Sequence, residues 1–336
     1  MDYGFGLIVA IVLGLLLIAM VSTWVSQESL ATTQESTDDL AKDTLTEAED
    51  AADIVEQQPQ ADSQSETQSI ASSSSGSLAE PTAKADDSYK LGNICFSQQD
   101  YQSALSCYTQ ALQTNPELAS AYNNRGNTYY ALGQYSQAIT EYSQAVKLKP
   151  DYTRAYYNWG NACYASGDLQ GAIASFTQAI NLDSKYIEAY NNRGNCYVAM
   201  QAYQDAIDDF DQALELNPKS IEAYNNIGHL FYQMKRYDEA LENYEQSLKI
   251  DPHQPVAVNS CGNVYLALND TEQALKNYSQ AIVLKPDYAE AYYNRSITHN
   301  NMGHVQAAQA DFQKTIELAQ QQGNQQLLQL LQTPVG

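Results

Sequence analysis

Basic residues are scarce in this sequence. It contains 17 Lys and Arg against 40 Asp and Glu, and its formal net charge is -23. Proteins that bind nucleic acid neutralise its phosphates with Lys and Arg, so this composition argues against a nucleic-acid partner. The negative charge is also unevenly spread, because residues 26–87 hold 15 acidic residues and only two basic ones, Lys42 and Lys84.

The sequence also lacks the spacings of a metal site or a catalytic centre. Its five cysteines are odd in number and include no C-x-x-C pair, which fits neither a disulfide framework nor a zinc site. The four histidines form no metal-ligand pattern, and no nucleophile–base pair or phosphate-binding glycine loop occurs. We therefore predict a non-enzymatic chain with no cofactor and no metal. We expect the cysteines to be buried as small apolar side chains: Cys95, Cys107, Cys163, Cys196 and Cys261.

One long apolar run, Phe5–Val25, stands near the N-terminus. At 21 residues it is long enough to cross a bilayer as a helix, and Trp24 stands where an interfacial aromatic is expected. A cleaved signal peptide is a competing interpretation, although no Lys or Arg precedes Lys42 and the run exceeds a typical signal core. A pilin-like leader cut after Gly4 is a third. We predict a retained single transmembrane helix in residues 1–25.

Three small residues, Gly6, Ala10 and Gly14, lie four apart on one face of that helix. Such spacing lets two membrane helices approach closely and suggests a homodimer; the alternative is that this face meets only lipid. The orientation stays open, because the positive-inside rule requires Lys or Arg near the span. Unpaired cysteines favour a reducing, cytoplasmic side for the rest of the chain.

Residues 26–84 differ in composition from the rest of the chain. They are rich in Ser, Gln, Thr and acidic residues and poor in aromatics. Such a segment buries too little apolar surface to offset the entropy of ordering it. We predict a disordered acidic linker.

From residue 85 to residue 322 the sequence repeats itself. The heptapeptide AYNNRGN stands at Ala121–Asn127 and again at Ala189–Asn195. A fixed period of this size is typical of repeat architectures. The glycine of this motif recurs every 34 residues, at Gly126, Gly160, Gly194, Gly228 and Gly262. We identify seven repeats, which start at Ala85, Ala119, Thr153, Ile187, Ile221, Pro255 and Ala289.

Each repeat is predicted to form two helices. In the second repeat Gly133 is placed to end the first helix as a left-handed cap, and Pro150 is placed to stop the second helix. The third repeat has Ser184 in place of that proline, which predicts a less sharp helix end. The aromatic, Gly, Tyr, Ala, aromatic and Pro positions are Tyr122, Gly126, Tyr129, Ala138, Tyr142 and Pro150.

Those spacings resemble the tetratricopeptide repeat signature. The resemblance implies an all-α fold, a right-handed α-solenoid of seven helix pairs in which each repeat packs only on its neighbours. Residues 323–336 come after the last repeat, and Gln325–Gln332 sets Leu327, Leu328 and Leu331 on one helical face. We predict a short capping helix there.

In such arrays the first helices line a concave ligand-binding surface, and this is what the resemblance implies here. In register, the sixth and ninth places of most repeats hold asparagine, three apart and therefore neighbours on one helical face. Amides can pair with a peptide backbone, and these files resemble the asparagine ladder in the repeat domain of O-GlcNAc transferase. The alternative is that these amides join neighbouring helices. The sixth-place asparagines are Asn124, Asn158, Asn192, Asn226 and Asn294, and the ninth-place asparagines are Asn93, Asn127, Asn161, Asn195 and Asn263.

Two further residue types share the first helices. Tyr130 and Tyr164, at the twelfth place, would anchor apolar side chains of a ligand or pack between repeats. Arg125, Arg193 and Arg295 are expected to lay their stems between helices.

These features predict a membrane-anchored scaffold that binds extended segments of partner proteins and helps to assemble or recruit a membrane-associated complex. The alternative is a regulatory or targeting subunit of an enzyme complex, such as a glycosyltransferase or a photosystem or envelope biogenesis machine.

Overall fold

The computed structural model describes residues 79–332 and the side chains of residues 84–331. Fifteen helices and no strand occur in this range. No helix within it is long and apolar enough to cross a membrane. The predicted anchor in residues 1–25, with Gly6, Ala10 and Gly14, and the predicted linker up to residue 78 lie outside the described residues.

The helices follow the 34-residue period. The first helices of repeats two to seven begin at the residues where the sequence predicts each repeat to start, whereas the first helix of all begins at Ala79, before Ala85. The fifteen are α1 Ala79–Ser97, α2 Tyr101–Thr114, α3 Ala119–Ala131, α4 Tyr135–Leu148, α5 Thr153–Ser166, α6 Leu169–Leu182, α7 Ile187–Ala199, α8 Tyr203–Leu216, α9 Ile221–Gln233, α10 Tyr237–Ile250, α11 Pro255–Ala267, α12 Thr271–Leu284, α13 Ala289–Asn301, α14 Val305–Gln322 and α15 Gln325–Gln332.

The described chain divides into two compact units, here called the N-terminal unit (residues 79–196) and the C-terminal unit (residues 197–332). The N-terminal unit holds the hairpins α1–α2, α3–α4 and α5–α6 and most of α7. The C-terminal unit holds α8, the hairpins α9–α10, α11–α12 and α13–α14, and α15. Each hairpin buries its apolar face against its neighbours in the same unit, as expected for an all-α repeat fold.

A left-handed residue reverses the chain inside the hairpins. Gly133, Gly167 and Gly303 have φ of 71°, 86° and 76°, a region that suits glycine because it has no Cβ. The predicted cap at Gly133 is therefore confirmed. The same place in the other four repeats is taken by Gln99, Gln201, Lys235 and Asn269, with φ between 59° and 61°.

The third repeat corrects one prediction. Helix α6 ends at Leu182 and its cap residue Asp183 is extended, as Asn115 is after α2, where Pro116 follows. Ser184 therefore does not blur the helix end. Proline is not needed there, because the chain leaves helical geometry one residue earlier.

Glycine allows the two helices of a hairpin to touch. A Cβ on Gly126 would lie 2.7 Å from the Tyr142 ring, and one on Gly160 would lie 2.5 Å from Phe176. Both rings are fully buried. The last hairpin has Ser296 at this place, and the matching ring, Phe312, is 38% exposed. Where this position carries a Cβ, as in Ser296, the matching aromatic ring is partly exposed instead of buried.

Candidate functional site

Ninth-place asparagines are held in place by other residues that donate hydrogen bonds to their side-chain oxygen, Oδ1, as Asn127 and Asn93 show. Asn127 Oδ1 accepts from Tyr142 Oη at 2.8 Å and from Asn158 Nδ2 at 3.0 Å. Asn93 Oδ1 accepts in the same way from Tyr108 Oη at 2.8 Å and from Asn124 Nδ2 at 3.0 Å. The tyrosine belongs to the same hairpin and the asparagine donor to the next one, so each oxygen joins three helices.

The sixth-place asparagines donate across the boundary between repeats. Asn158 Nδ2 also donates to Asn123 Oδ1 at 3.1 Å. Asn192 Nδ2 donates to Tyr157 Oη at 3.0 Å and to Asn161 Oδ1 at 2.9 Å. Both N–H groups of these amides are therefore used, and Asn158 and Asn192 are buried. Asn124 also donates to a tyrosine hydroxyl of the first hairpin, at 3.0 Å.

The C-terminal unit repeats this arrangement at its last junction. Asn294 Nδ2 donates to Asn259 Oδ1 at 3.2 Å and to Asn263 Oδ1 at 3.1 Å. Tyr278 Oη donates to the same Asn263 oxygen at 2.9 Å. The interpretation that these amides join neighbouring helices is thus what the contacts show. A ligand could therefore bond only to the side-chain atom of each asparagine that these contacts leave unpaired.

In the N-terminal unit the unpaired atom is the side-chain nitrogen, Nδ2, of the ninth-place asparagines. Among the described residues, no protein group accepts a hydrogen bond from Nδ2 of Asn93, Asn127 or Asn161, three of the four ninth-place asparagines in this unit. Asn93 and Asn161 are half-buried, and Asn127 keeps 6% of its surface. Because each Oδ1 is fixed by its donors, each free Nδ2 is fixed in direction. The first helices α1, α3 and α5 therefore present a file of oriented N–H donors.

Two predicted residues near the middle of the chain lie outside this bonding pattern. Asn195 is half-buried, and the buried Nδ2 of Asn226 has no hydrogen-bond partner among the described residues. The ninth place of the fifth repeat is His229, whose Nε2 lies 2.7 Å from the Gln233 side-chain nitrogen. Burial lowers the pKa of His229 to about 4, so its imidazole is neutral near pH 7.

A substitution in the sixth repeat explains one unpaired oxygen. Its sixth place is Ser260, whose side chain is too short to reach back as asparagine does. Asn225 Oδ1, the acceptor expected one repeat earlier, is buried without a partner among the described residues. Its Nδ2 donates instead to Gln254 Oε1 at 3.0 Å.

The twelfth-place tyrosines pack between helices. The Tyr130 ring lies 5.4 Å from the Tyr135 ring and contacts the cluster around Ala138 and Tyr142. Burial raises the pKa of Tyr130. Tyr164 packs against the cluster that contains Phe176. Both side chains are only half-exposed, so packing accounts for a large share of their surface.

The arginines lie between helices, as predicted. Arg125 donates to both Glu141 oxygens at 2.9 and 3.0 Å and to Thr109 Oγ1 at 3.1 Å. Burial raises the pKa of Glu141, although Arg125 opposes that shift. Arg295 pairs with Asp311 in the same way, at 2.7 and 2.8 Å. Arg193 Nη1 donates to an equivalent threonine at 2.9 Å.

The cysteines follow the prediction only in part. Cys163, Cys196 and Cys261 are buried, whereas Cys95 and Cys107 are half-buried. The expectation of burial is therefore wrong for those two, because the first hairpin has no described helix in front of α1. No group of three or more His, Cys, Asp or Glu in residues 79–332 could hold a metal ion.

Sequence reasoning missed the fifth place of each repeat. Tyr89, Asn123, Tyr157 and Asn259 receive the second hydrogen bond of the sixth-place asparagines. The signal was available, because with the repeats in register this place always holds a tyrosine or an asparagine. Either side chain offers an oxygen acceptor.

Family models match the chain without a gap from residue 92 to residue 322. A model described as TPR repeat matches residues 92–133, 126–164, 160–201 and 262–303. Models described as Tetratricopeptide repeat match residues 185–253, 231–276 and 289–322. No curated protein matches the sequence.

Solved structures show the same fold at low identity. A tetratricopeptide repeat protein from Parabacteroides merdae is 19% identical, with a TM-score of 0.63, over 74% of this chain and 99% of that one. PilW, a type IV pilus biogenesis factor, is 20% identical, with a TM-score of 0.56, over 62% of this chain and 96% of its own. Pseudomonas aeruginosa PilF is 19% identical, with a TM-score of 0.52, over 62% and 94%. At this identity the likeness extends to the fold alone.

Proposed function

We propose, from the premise that the chain belongs to the tetratricopeptide repeat family, that it is a non-enzymatic scaffold that binds extended segments of partner proteins along its first helices. Repeats of this kind are protein-interaction folds whose stacked helices offer an extended binding surface. The groups that would bind the segment lie in the N-terminal unit.

The file of oriented amide donors carries this proposal. Asn93, Asn127 and Asn161 each have an oxygen that accepts at least one hydrogen bond from the protein and an Nδ2 with no protein acceptor among the described residues. Groups that are already held in place lose little entropy when a ligand binds. A peptide carbonyl is the acceptor that such a donor suits. The ligand would therefore be recognised by its backbone more than by its side chains.

Charge in the same unit agrees with a backbone ligand. Residues 84–196 contain nine acidic and eight basic residues, so the unit is nearly neutral. A neutral surface neither requires nor repels a strongly charged segment. Selectivity for an extended conformation would come from the regular placement of the donors along α1, α3 and α5.

The test removes the donors and keeps the bonds between helices. Asparagine to aspartate at positions 93, 127 and 161 preserves Oδ1 and replaces each Nδ2 by an oxygen, which repels a peptide carbonyl. The probe is a twelve-residue peptide enriched from a random display library on the purified full-length protein. We expect the triple variant to bind it at least about tenfold more weakly, which is about 1.4 kcal/mol. Fluorescence anisotropy measures the affinity.

Two controls sharpen the result. Asn181→Asp on the exposed side of α6 adds a carboxylate away from the first helices and should leave the affinity unchanged. A scrambled peptide of the same composition should bind within a few-fold of the original. Unchanged binding to the triple variant would refute the site, and strict dependence on peptide sequence would refute backbone recognition.

The apolar run Phe5–Val25 is proposed to attach this scaffold to a membrane. Its length and lack of charge support a bilayer-spanning helix. We expect the full-length protein to stay with membranes after a carbonate wash, and a variant without residues 5–25 to be released. A reporter fused after Gly336 gives the orientation. Release of the full-length chain would contradict the anchor.

A further inference from the structure

Cys95 and Cys107 lie on the facing sides of α1 and α2. Cys95 follows Gly92 by three residues, and a Cβ on Gly92 would lie 2.6 Å from the ring of Tyr108. That ring belongs to the residue next to Cys107, and its Oη donates to Asn93 Oδ1 at 2.8 Å. The two helices therefore touch at the level of both cysteines.

The two thiols also interact with each other. Burial raises the pKa of Cys107, and the neighbouring Cys95 thiol raises it further through its charge and a hydrogen bond. Both side chains are half-buried, whereas the other three cysteines are buried. The two cysteines that a reagent can reach are thus the two that are adjacent.

We propose that Cys95 and Cys107 are a modification site, at which they form a reversible disulfide that joins α1 to α2. The oxidant is a small-molecule disulfide, for which glutathione disulfide is the probe. The thiolate of one cysteine attacks a sulfur of glutathione disulfide and releases one glutathione. The second thiolate then attacks the protein sulfur of the mixed disulfide and releases the other glutathione. Two protein thiols lose two electrons and two protons, and glutathione disulfide gains them.

The position of the pair gives the disulfide an effect on the protein. Two apolar side chains of α1, Leu91 and Ile94, are 51% and 52% exposed. At the place of Ile94 the second repeat has Thr128, which is fully buried. A hairpin whose apolar side chains are partly exposed opens more readily than one whose apolar side chains are buried. A disulfide constrains its unfolded states, and it would hold Asn93 and Tyr108 together.

Mass spectrometry tests the bond directly. Trypsin cuts after Lys90 and Arg125, and no Lys or Arg stands between them, so both cysteines fall in peptide 91–125. The full-length reduced protein is treated with glutathione disulfide, and free thiols are blocked with N-ethylmaleimide. We expect peptide 91–125 to appear about 2 Da lighter than the reduced peptide without maleimide, through the loss of two thiol hydrogens. In Cys95→Ser and Cys107→Ser the remaining thiol should carry glutathione instead.

Hydrogen exchange tests the effect on the hairpin. Amides of α1 and α2 should exchange several-fold more slowly in the oxidised protein, and reductant should reverse this. Cys95→Ser should show no such change. Recovery of peptide 91–125 with two maleimide or two glutathione groups, and no lighter form, would overturn the proposal. Equal exchange in the oxidised and reduced proteins would overturn the stabilising role.

Discussion

The N-terminal and C-terminal units are built from the same hairpin, yet they join their first helices differently. In the N-terminal unit each junction from α1 to α7 has an asparagine that donates both its N–H groups to the repeat before it. In the C-terminal unit only the junction from α11 to α13 does so among the described residues. At the junction from α9 to α11 Ser260 stands instead, and Asn225 keeps an unpaired oxygen.

Charge separates the two units as well. Residues 197–336 contain 17 acidic and eight basic residues, whereas residues 84–196 are nearly neutral. The junction from α9 to α11 lacks the asparagine hydrogen bonds between first helices. Repeats can therefore stack without these hydrogen bonds when their small and aromatic core positions are kept. Hydrogen bonds to the asparagine oxygens fix the direction of their unpaired N–H donors, and for this reason the proposed peptide site is placed in the N-terminal unit.

The largest expected effect comes from Gly160, which lets the two helices of its hairpin touch in the N-terminal unit. The last hairpin has Ser296 at this place. Gly160→Ser would put a Cβ 2.5 Å from Phe176 and force that buried ring outward. We expect a loss of about 3 kcal/mol in the free energy of unfolding, from overpacking and lost burial. Ser296→Ala in the C-terminal unit should change it by less than about 0.5 kcal/mol, since Phe312 is already partly exposed. Urea denaturation measures both.

Ala174→Ser on the exposed side of α6 controls for adding a hydroxyl to a helix. It should behave like the wild type. Equal losses for Gly160→Ser and Ser296→Ala would show that the ring position does not depend on this residue.

A pH effect should appear in the C-terminal unit. The pKa of His229 in the folded protein is about 4, below the ordinary value of about 6.5, so protonation favours the unfolded chain. The stability is fully present above pH 6.5 and is lost as the pH falls from 6.5 towards 4. At pH 5 the loss should be about 2 kcal/mol, measured by urea denaturation across this range.

His229→Asn, which restores the residue common at the ninth place, should remove this pH dependence. His253→Asn is the matched control, since His253 is exposed, and it should leave the dependence as it is. If His229→Asn loses stability between pH 6.5 and 5 as the wild type does, another group is responsible.

The smallest expected effect is a gain. Ser260→Asn would supply an Nδ2 donor to the buried oxygen of Asn225 and make the junction from α9 to α11 resemble those of the N-terminal unit. One added hydrogen bond should raise the free energy of unfolding by about 1 kcal/mol. Ser136→Asn, on the exposed side of α4, should leave it unchanged. A decrease for Ser260→Asn would mean that the space beside Asn225 cannot hold the longer side chain.

Several features of the fold depend on local sequence alone. The 34-residue period predicts where the first helices of repeats two to seven begin, because each begins two residues before the alanine that recurs in the repeat motif. Gly133 predicts a left-handed turn, since its φ of 71° suits a residue without Cβ. The end of α6 at Leu182 could not be predicted from Ser184, because the cap geometry there depends on the residue before it.

The candidate site was predictable as a set of residues but not as a set of bonds. From the repeats in register, the asparagine files were visible and two roles were open to them. The half-exposed pair Cys95 and Cys107 was not visible, since burial depends on which hairpin has a neighbour.

The sequence by itself determined the repeat and the places of the helices. Only the tertiary structure decided which half of each asparagine amide is used. Asn158 bonds to residues 31 and 35 positions earlier in the chain, a separation that no local pattern spans. Once stacking brings these groups together, each fixed oxygen directs the nitrogen beside it, because the amide group is planar and rigid.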